Sequence, residues 1–194
     1  WAITAGDPTG VFAINAATGA ITVVDPSGLN FEGAPTVYTL TVKVTDDNGA
    51  GLFGTGTVTI TVTDVNEPPA FPTTTQSFTV TENAAPAGLA TTTAVDPDAG
   101  QTATLTYSLS GADASYFSLG TSSAVLTLLA AADFETKASY TVVVTAKDAA
   151  LFSTNTNTVT VTVTNVNEAP SIANQAFSIA ENSAAATVVG TVVR

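Results

Sequence analysis

The chain has 194 residues, of which 45% are hydrophobic and 10% charged, and its formal net charge of −12 makes it a poor partner for nucleic acid or an anionic membrane surface. It contains no Cys and no His, which excludes disulfide bonds, thiolate metal sites and the ligands that zinc prefers. No apolar run reaches the ~18 residues of a membrane-spanning helix, so we expect no membrane insertion in this segment.

The predicted elements are short strands separated by turn residues. A strand near Trp1 is followed by a turn at residues 6–8, and further strands follow. From Thr57 to Thr63, Val and Ile alternate with Thr, which is the two-residue period of a half-buried strand. The stretch from Asp64 to Pro69 then crowds acidic and amide side chains against two prolines, which cannot donate to a strand ladder. We interpret this stretch as a junction between two packed units.

The junction is part of a tandem repeat. TVTITVTDVNEPPAF, which begins at Thr57, returns 101 residues later as TVTVTVTNVNEAPSI. Three further landmarks keep the same order: Asn30-Phe31-Glu32 and Asp133-Phe134-Glu135, Tyr38 and Tyr140, and Glu82-Asn83 and Glu181-Asn182. The repeat predicts a partial unit at residues 1–67 without its opening strands, a complete unit at 68–168, and the opening strands of a third unit at 169–194. Because the chain contains no Met, we also expect it to be a segment of a longer protein.

The complete unit is predicted to be a β-sandwich. Turn residues separate six or seven short strands, and one helical turn is predicted at 112–117. The clearest strands are at residues 77–82, 104–110, 124–129, 139–148 and 157–163.

The acidic residues are concentrated at the ends of the predicted strands, whose outward faces carry Thr and Ser instead. Converging carboxylates repel one another, and a hard cation removes that repulsion. Calcium takes about 6–8 oxygen ligands from carboxylates, amides and carbonyls, whereas magnesium demands a tighter octahedron. Twelve of the 16 acids lie at the repeated landmarks: Glu32, Asp46, Asp64, Glu67, Glu82, Asp96, Asp98, Asp133, Glu135, Asp148, Glu168 and Glu181.

Each motif taken alone has a simpler interpretation. Asp96-Pro97-Asp98 could form only a turn, and residues 46–49 could form only a hairpin turn. Glu82 and Glu181 could be charges on edge strands, and the Phe within each acidic trio is best interpreted as a core residue. The repeated combination of these motifs favours a calcium site.

In this combination the chain resembles cadherin repeats, and its linkers DVNEPPAF and NVNEAPSI are similar to those of cadherin-like repeats in large bacterial surface proteins. The resemblance implies seven-strand Greek-key sandwiches joined end to end by calcium-binding linkers. It implies a first junction built from Glu32, Asp64, Asn66, Glu67, Asp96, Asp98 and Asp148. It implies a second junction built from Glu82, Asp133, Glu135, Asn165, Asn167 and Glu168.

The chain departs from the family pattern at both linkers. Asn30 and Asn165 each replace an Asp, and Glu67 and Glu168 replace the second Asp of the linker. The second junction also lacks an Asp-x-Asp from a following unit. We therefore expect weaker or fewer calcium ions at the second junction.

Three classes of function are open at this point. The first is a structural or adhesive segment of an extracellular, cell-surface protein, made rigid by calcium. The second is a passive spacer that presents an enzyme or a sugar-binding domain elsewhere in the parent chain. The third is an enzyme or a calcium-dependent sugar-binding module, but the acids recur at linker positions in every unit, and we expect no enzymatic activity.

Two features of the chain ends lead to further hypotheses. Residues 176–193 match the opening strands that residues 1–67 lack, so the tail of one copy could complete the front of the next and form a head-to-tail filament. Glu181 would then lie near Glu32 and Asp64 of the neighbouring copy.

Trp1 is predicted to pack in the core of the first unit.

Overall fold

The computed structural model describes residues 1–33, 35–46 and 51–193. The hairpin turn predicted at 46–49 lies outside the described residues except for Asp46. The described part contains twelve strands: β1 Ala2–Ala5, β2 Phe12–Ile14, β3 Ile21–Val23, β4 Val37–Thr45, β5 Phe53–Thr61, β6 Thr75–Thr81, β7 Gly88–Ala90, β8 Thr106–Ser110, β9 Phe117–Leu119, β10 Val125–Leu128, β11 Ser139–Lys147 and β12 Asn157–Thr164. It also contains three short 3-10 turns: Pro26–Gly28, Gln101–Thr104 and Ala114–Tyr116.

Strands β6 to β12 form a seven-strand sandwich. One sheet has the order β6-β12-β11-β8 and the other β7-β10-β9. Strand β6 runs parallel to β12, whereas the other pairings are antiparallel. The Greek-key sandwich that the sequence predicts is confirmed, and the helical turn predicted at 112–117 is the 3-10 turn Ala114–Tyr116.

The alternation of Val and Thr decides which face of β12 is buried. Val159, Val161 and Val163 are at most 2% exposed and face the core, while the Thr residues between them face outward. Strand β11 alternates in the same way, and its Tyr140 packs edge-to-face on Phe117 at 5.5 Å between ring centroids. Branched and aromatic side chains suit such a half-buried pleated surface.

Strands β1 to β5 form a smaller assembly with its own core. Strand β4 lies between β1 and β5, and β2 pairs with β3. The core contains Phe12 and Tyr38, whose rings meet edge-to-face at 5.0 Å. In the described part of the chain, β5 pairs along one edge only, whereas the matching strand β12 pairs with β6 as well as β11.

Three expectations from the sequence turn out differently. Trp1 is 47% exposed and lies against Gly19 instead of in the core, because it precedes the edge strand β1. Phe31 is 38% exposed, although its counterpart Phe134 packs on the core as expected. The described residues 176–193 contain no strand. The domain boundaries after residues 67 and 168 remain a proposal.

We predict that Leu126→Ala lowers the free energy of unfolding of the sandwich by about 2–5 kcal/mol, because Leu126 is fully buried in β10 and its removal leaves a cavity. Leu129→Ala is the matched control, since Leu129 is 64% exposed and its loss should change stability by less than about 0.5 kcal/mol. Urea denaturation of both variants measures the difference. Equal losses would contradict the assigned core.

Candidate metal centre

The first group of acids meets at the pole of the sandwich that faces the first unit. Glu32 lies in the turn before β4, and Asp64 and Glu67 lie in the linker after β5. Asp98 comes from the loop between β7 and β8. One carboxylate oxygen from each of these four side chains lies within 4.8 Å of the others. The junction therefore gathers four potential ligands from two packed units.

Three buried oxygens at this junction have no hydrogen-bond partner. They are Glu67 Oε2, Asp96 Oδ2 and Asp98 Oδ1. Asp96 and Asp98 are only 5% and 4% exposed. A buried polar atom without a partner costs about 1–3 kcal/mol, and a charged one costs more. These three carboxylate oxygens therefore lack a hydrogen-bond donor or a cation that would offset the cost of burying them.

Burial raises the pKa of Glu67 above its ordinary value, and the nearby charges of Glu32 and Asp98 raise it further. Burial likewise raises the pKa of Asp96, with Asp98 and Asp148 adding repulsion. A raised carboxyl pKa means that the ionised form is destabilised in the folded state. A bound cation would reverse this effect.

Asp148, which follows β11, also belongs to the first junction, but its oxygens accept hydrogen bonds. The N–H of Leu151, together with the side-chain amide of Asn66, holds the pKa of Asp148 below its usual value. Asn66 Nδ2 donates to Asp148 Oδ2 at 2.8 Å, and the N–H of Glu67 donates to Asp98 Oδ2 at 3.1 Å. These contacts fix the linker directly on the second unit.

The second group of acids lies at the opposite pole. Carboxylate oxygens of Glu82, Glu135 and Glu168 lie within 4.8 Å of one another. Glu82 is 2% exposed, but both of its oxygens have donors: the N–H of Val166 at 2.6 Å and that of Phe134 at 2.8 Å. These two hydrogen bonds lower the pKa of Glu82. The oxygens of Glu82 are therefore satisfied without an ion.

The neighbouring acids of the second group are also paired. Asn83 donates its side-chain amide to Glu168 Oε1, and Asn165 Nδ2 donates to Glu135 Oε1 at 2.9 Å. A cavity of about 710 Å³ opens beside this group, lined by Glu135 and residues 165–171. The second group is thus more open and better supplied with donors than the first.

Comparison with known proteins identifies the fold and the family. The model of the cadherin domain matches residues 1–63 and 76–164. The chain belongs to the cadherin family. No curated protein sequence matches this cadherin.

Solved structures support the same identification. Mouse cadherin-23 EC22-24 is 30% identical over 85% of this chain and 52% of its own length, with a TM-score of 0.65. Drosophila N-cadherin EC1-4 is 29% identical over 83% of this chain and 39% of its own length, with a TM-score of 0.64. The present cadherin chain thus spans about half or less of the structures that it matches. The resemblance noted from the linker motifs is confirmed.

Several residues that the cadherin pattern suggests lie outside both groups. Asp133 accepts hydrogen bonds from the N–H and hydroxyl of Thr136, which lower its pKa. Asn167 is exposed, as is Glu181 in the tail. Asp46 lies beyond the end of β4, where its N–H donates to Leu52 O at 2.8 Å. Whether these four residues bind an ion remains a prediction.

Sequence reasoning missed one residue of the first junction. Gln101 lines a cavity of about 320 Å³ together with Glu32, Asp64 and Asp98. Its Nε2 donates to Asn66 Oδ1 at 2.9 Å and to Asp98 Oδ2 at 3.1 Å. The only signal in the sequence is its place three residues after Asp98, where a 3-10 turn begins.

No helix in the described ranges combines the length and the apolar character that crossing a bilayer requires.

We predict that Asp96→Asn raises the melting temperature of the second unit by up to about 4 °C at neutral pH in the presence of a chelator. The folded-state pKa of Asp96 is raised, so its ionised form destabilises the fold at pH values above that pKa. Protonation relieves this cost, and the gain should shrink as the pH falls through the raised pKa. Thermal melts at several pH values measure it.

The control for this prediction is Asp25→Asn. Hydrogen bonds from Ser27 lower the pKa of Asp25, so its charge favours the folded state and the variant should show no gain. A fall in the melting temperature of Asp96→Asn in chelator would contradict the assigned cost of burying Asp96.

Proposed function

We propose that calcium binds at the first junction and fixes the two cadherin units into a rigid rod. The observation that carries this proposal is the set of three buried carboxylate oxygens without hydrogen-bond partners beside the linker. An acidic group alone would be weak support, because exposed acids are common without an ion. Buried orphan oxygens are a stronger reason, since their burial is costly unless a cation is nearby. The proposed ligands are Glu32, Asp64, Asn66, Glu67, Asp96, Asp98 and Asp148.

The chemistry of this donor set favours calcium over other divalent ions. All of the side-chain donors are carboxylate or amide oxygens, which excludes the nitrogen and sulfur ligands typical of zinc. Calcium accepts 6–8 oxygens in flexible geometry, whereas magnesium demands a near-ideal octahedron and keeps several waters. Several oxygens from two units at irregular positions match the calcium requirement.

We propose a weaker or partial site at the second junction. The carboxylate oxygens there already accept hydrogen bonds from backbone and side-chain amides. Because an ion would have to replace these hydrogen bonds, its binding would stabilise the junction less. The proposed ligands there are Glu82, Asp133, Glu135, Asn165, Asn167 and Glu168.

The function that follows is mechanical: a calcium-stiffened structural or adhesive segment of a longer extracellular surface protein. Members of the cadherin family are adhesive and structural, which supports this conclusion. Extracellular modules bind calcium with Kd values of about 10⁻⁴–10⁻³ M, a range suited to calcium outside cells. A passive spacer that presents another domain is the second candidate, and it would need the same rigidity.

We predict that calcium raises the melting temperature of this chain and narrows its distribution of overall dimensions. An ion that binds only the folded state adds about 2.7 kcal/mol of stability at a hundredfold excess over Kd. Asp98→Ala should weaken calcium binding, because Asp98 contributes an orphan buried oxygen to the junction. Calorimetric titration, thermal melts and small-angle scattering measure these effects.

The control is Asp113→Ala. Asp113 accepts from the N–H of Thr141 and pairs with Lys137 at 3.0 Å, so its loss should lower stability without changing the calcium Kd. Equal calcium Kd values in both variants and the parent chain would contradict the assigned site. If calcium changes neither the melting temperature nor the overall dimensions of the parent chain, the proposed function is wrong.

We also propose head-to-tail assembly, favoured by the edge of β5. In the described part of the chain, this edge has no partner, although the matching edge of β12 holds β6 in parallel register. Phe177 and Ile179 of the tail match Phe78 and Val80, which turn inward and pack on the sandwich core. Both tail residues are about half exposed. The tail of one copy therefore has the pattern of the strand that β5 could accept.

Local structure in the tail supports this assembly. Asn182 has a φ of +61°, close to the +59° of Asn83, so the Glu-Asn turn keeps its conformation outside a sandwich. The tail also hydrogen-bonds within itself, since Gln175 pairs with the backbone of Val193, and assembly has to outweigh these contacts. In the assembly, Glu181 would join Glu32 and Asp64 of the next copy as a calcium ligand.

We predict concentration-dependent oligomers in calcium that the double variant Phe177→Asp/Ile179→Asp abolishes, because it places charges on the inward side of the donated strand. Ser178→Asp is the control, since its match Thr79 faces outward. Analytical ultracentrifugation measures the oligomeric state. A chain that stays monomeric at all concentrations would contradict assembly.

A further inference from the structure

The side chain of Gln101 connects the two cadherin units at the first junction. Gln101 opens the 3-10 turn that follows Gly100, whose φ of +84° turns the chain back toward the linker. Its amide nitrogen reaches Asn66 in the linker and Asp98 in its own loop. One amide group thus bridges a residue of the linker and a residue of the second unit.

This bridge belongs to a continuous set of hydrogen bonds. Asn66 accepts from Gln101 and donates to Asp148 Oδ2 at 2.8 Å, while the N–H of Glu67 reaches the same Asp98 oxygen that Gln101 contacts. Every donor in the set is a neutral amide. Three of the acceptors belong to residues proposed as calcium ligands: Asn66, Asp98 and Asp148. The amide hydrogens therefore supply positive charge near the position that a cation would take.

The amide of Gln101 also lies in the cavity that the acids share. Glu32, Asp64 and Asp98 line this cavity together with Gln101. The NH₂ group carries the positive end of the amide dipole, so it attracts carboxylates but repels a cation. An ion that draws Asn66 and Asp98 toward itself would have to displace this group or turn it.

We propose that Gln101 is a latch for the ion-free state: it holds the linker on the second unit when calcium is low and competes with calcium for Asn66 and Asp98. The competition rests on the proposed calcium function, whereas the latch itself does not. An interaction made only in the ion-free state lowers the apparent affinity for the ion. Gln101 is therefore a positioning residue that sets both the stiffness of the ion-free junction and its calcium threshold.

The experiment compares the full chain with Gln101→Ala and Gln101→Glu, the second of which keeps the shape of the side chain but removes its donor. In chelator, both variants should broaden the distribution of overall dimensions measured by small-angle scattering. In saturating calcium, both should match the parent chain. The calcium Kd should fall by about threefold to tenfold in Gln101→Ala, the size expected for losing a hydrogen bond worth about 1 kcal/mol.

Ser118→Ala is the control, because Ser118 is exposed on β9, away from both groups of acids, and should change neither measurement. Unchanged dimensions of both Gln101 variants in chelator would overturn the latch. A weaker calcium affinity of Gln101→Ala would overturn the competition and make Gln101 a ligand through its carbonyl oxygen. If the parent chain binds no calcium, the proposed function fails, while the comparison in chelator still decides whether the latch exists.

Discussion

The burial of carboxylate oxygens without partners, between two packed units, is the constraint on which the rest of this cadherin depends. Asp96 and Asp98 are almost fully buried where the linker meets the sandwich, and each keeps one oxygen without a donor. The amides of Asn66 and Gln101 offset only part of this negative charge. The conformation of the linker therefore depends on how the remaining charge is neutralised, and the relative orientation of the units depends on the linker.

The acidic side chains lie at the poles of the sandwich, whereas the strands of the sheets carry almost no acidic residues. Thr75, Thr79 and Thr81 on β6 face outward beside Thr158, Thr162 and Thr164 on β12, in parallel register. Thr has a high strand propensity and satisfies its hydroxyl at the surface without a counter-charge. The core between the sheets is therefore built from Val, Leu and aromatic side chains. The acidic groups that could hold a cation lie at the poles instead.

The sequence was sufficient for the architecture, but not for the hydrogen-bonding state of each carboxylate oxygen. The Val–Thr alternation predicts β12, and the acidic, proline-stiffened linker predicts where the units meet. Pattern alone cannot show that Asp133 is held by Thr136, because that contact depends on how the turn closes. Gln101 was missed for the same reason. Its position three residues after Asp98 does not reveal that the 3-10 turn directs its amide toward the linker.

The two junctions share a motif and differ in how many oxygens have donors. At the second junction, Glu82 accepts two backbone N–H groups, so its ionised form is stabilised and its pKa is lowered. At the first junction, Glu67 and Asp96 each have one buried oxygen without a hydrogen-bond partner, and their pKa values are raised. A bound cation stabilises the folded state most where the protein supplies the fewest hydrogen-bond donors to the carboxylate oxygens. Under the proposed calcium function, the ion dependence of each junction is therefore set by the hydrogen bonds at its linker. Counting acidic motifs would rank these two junctions as more alike than they are.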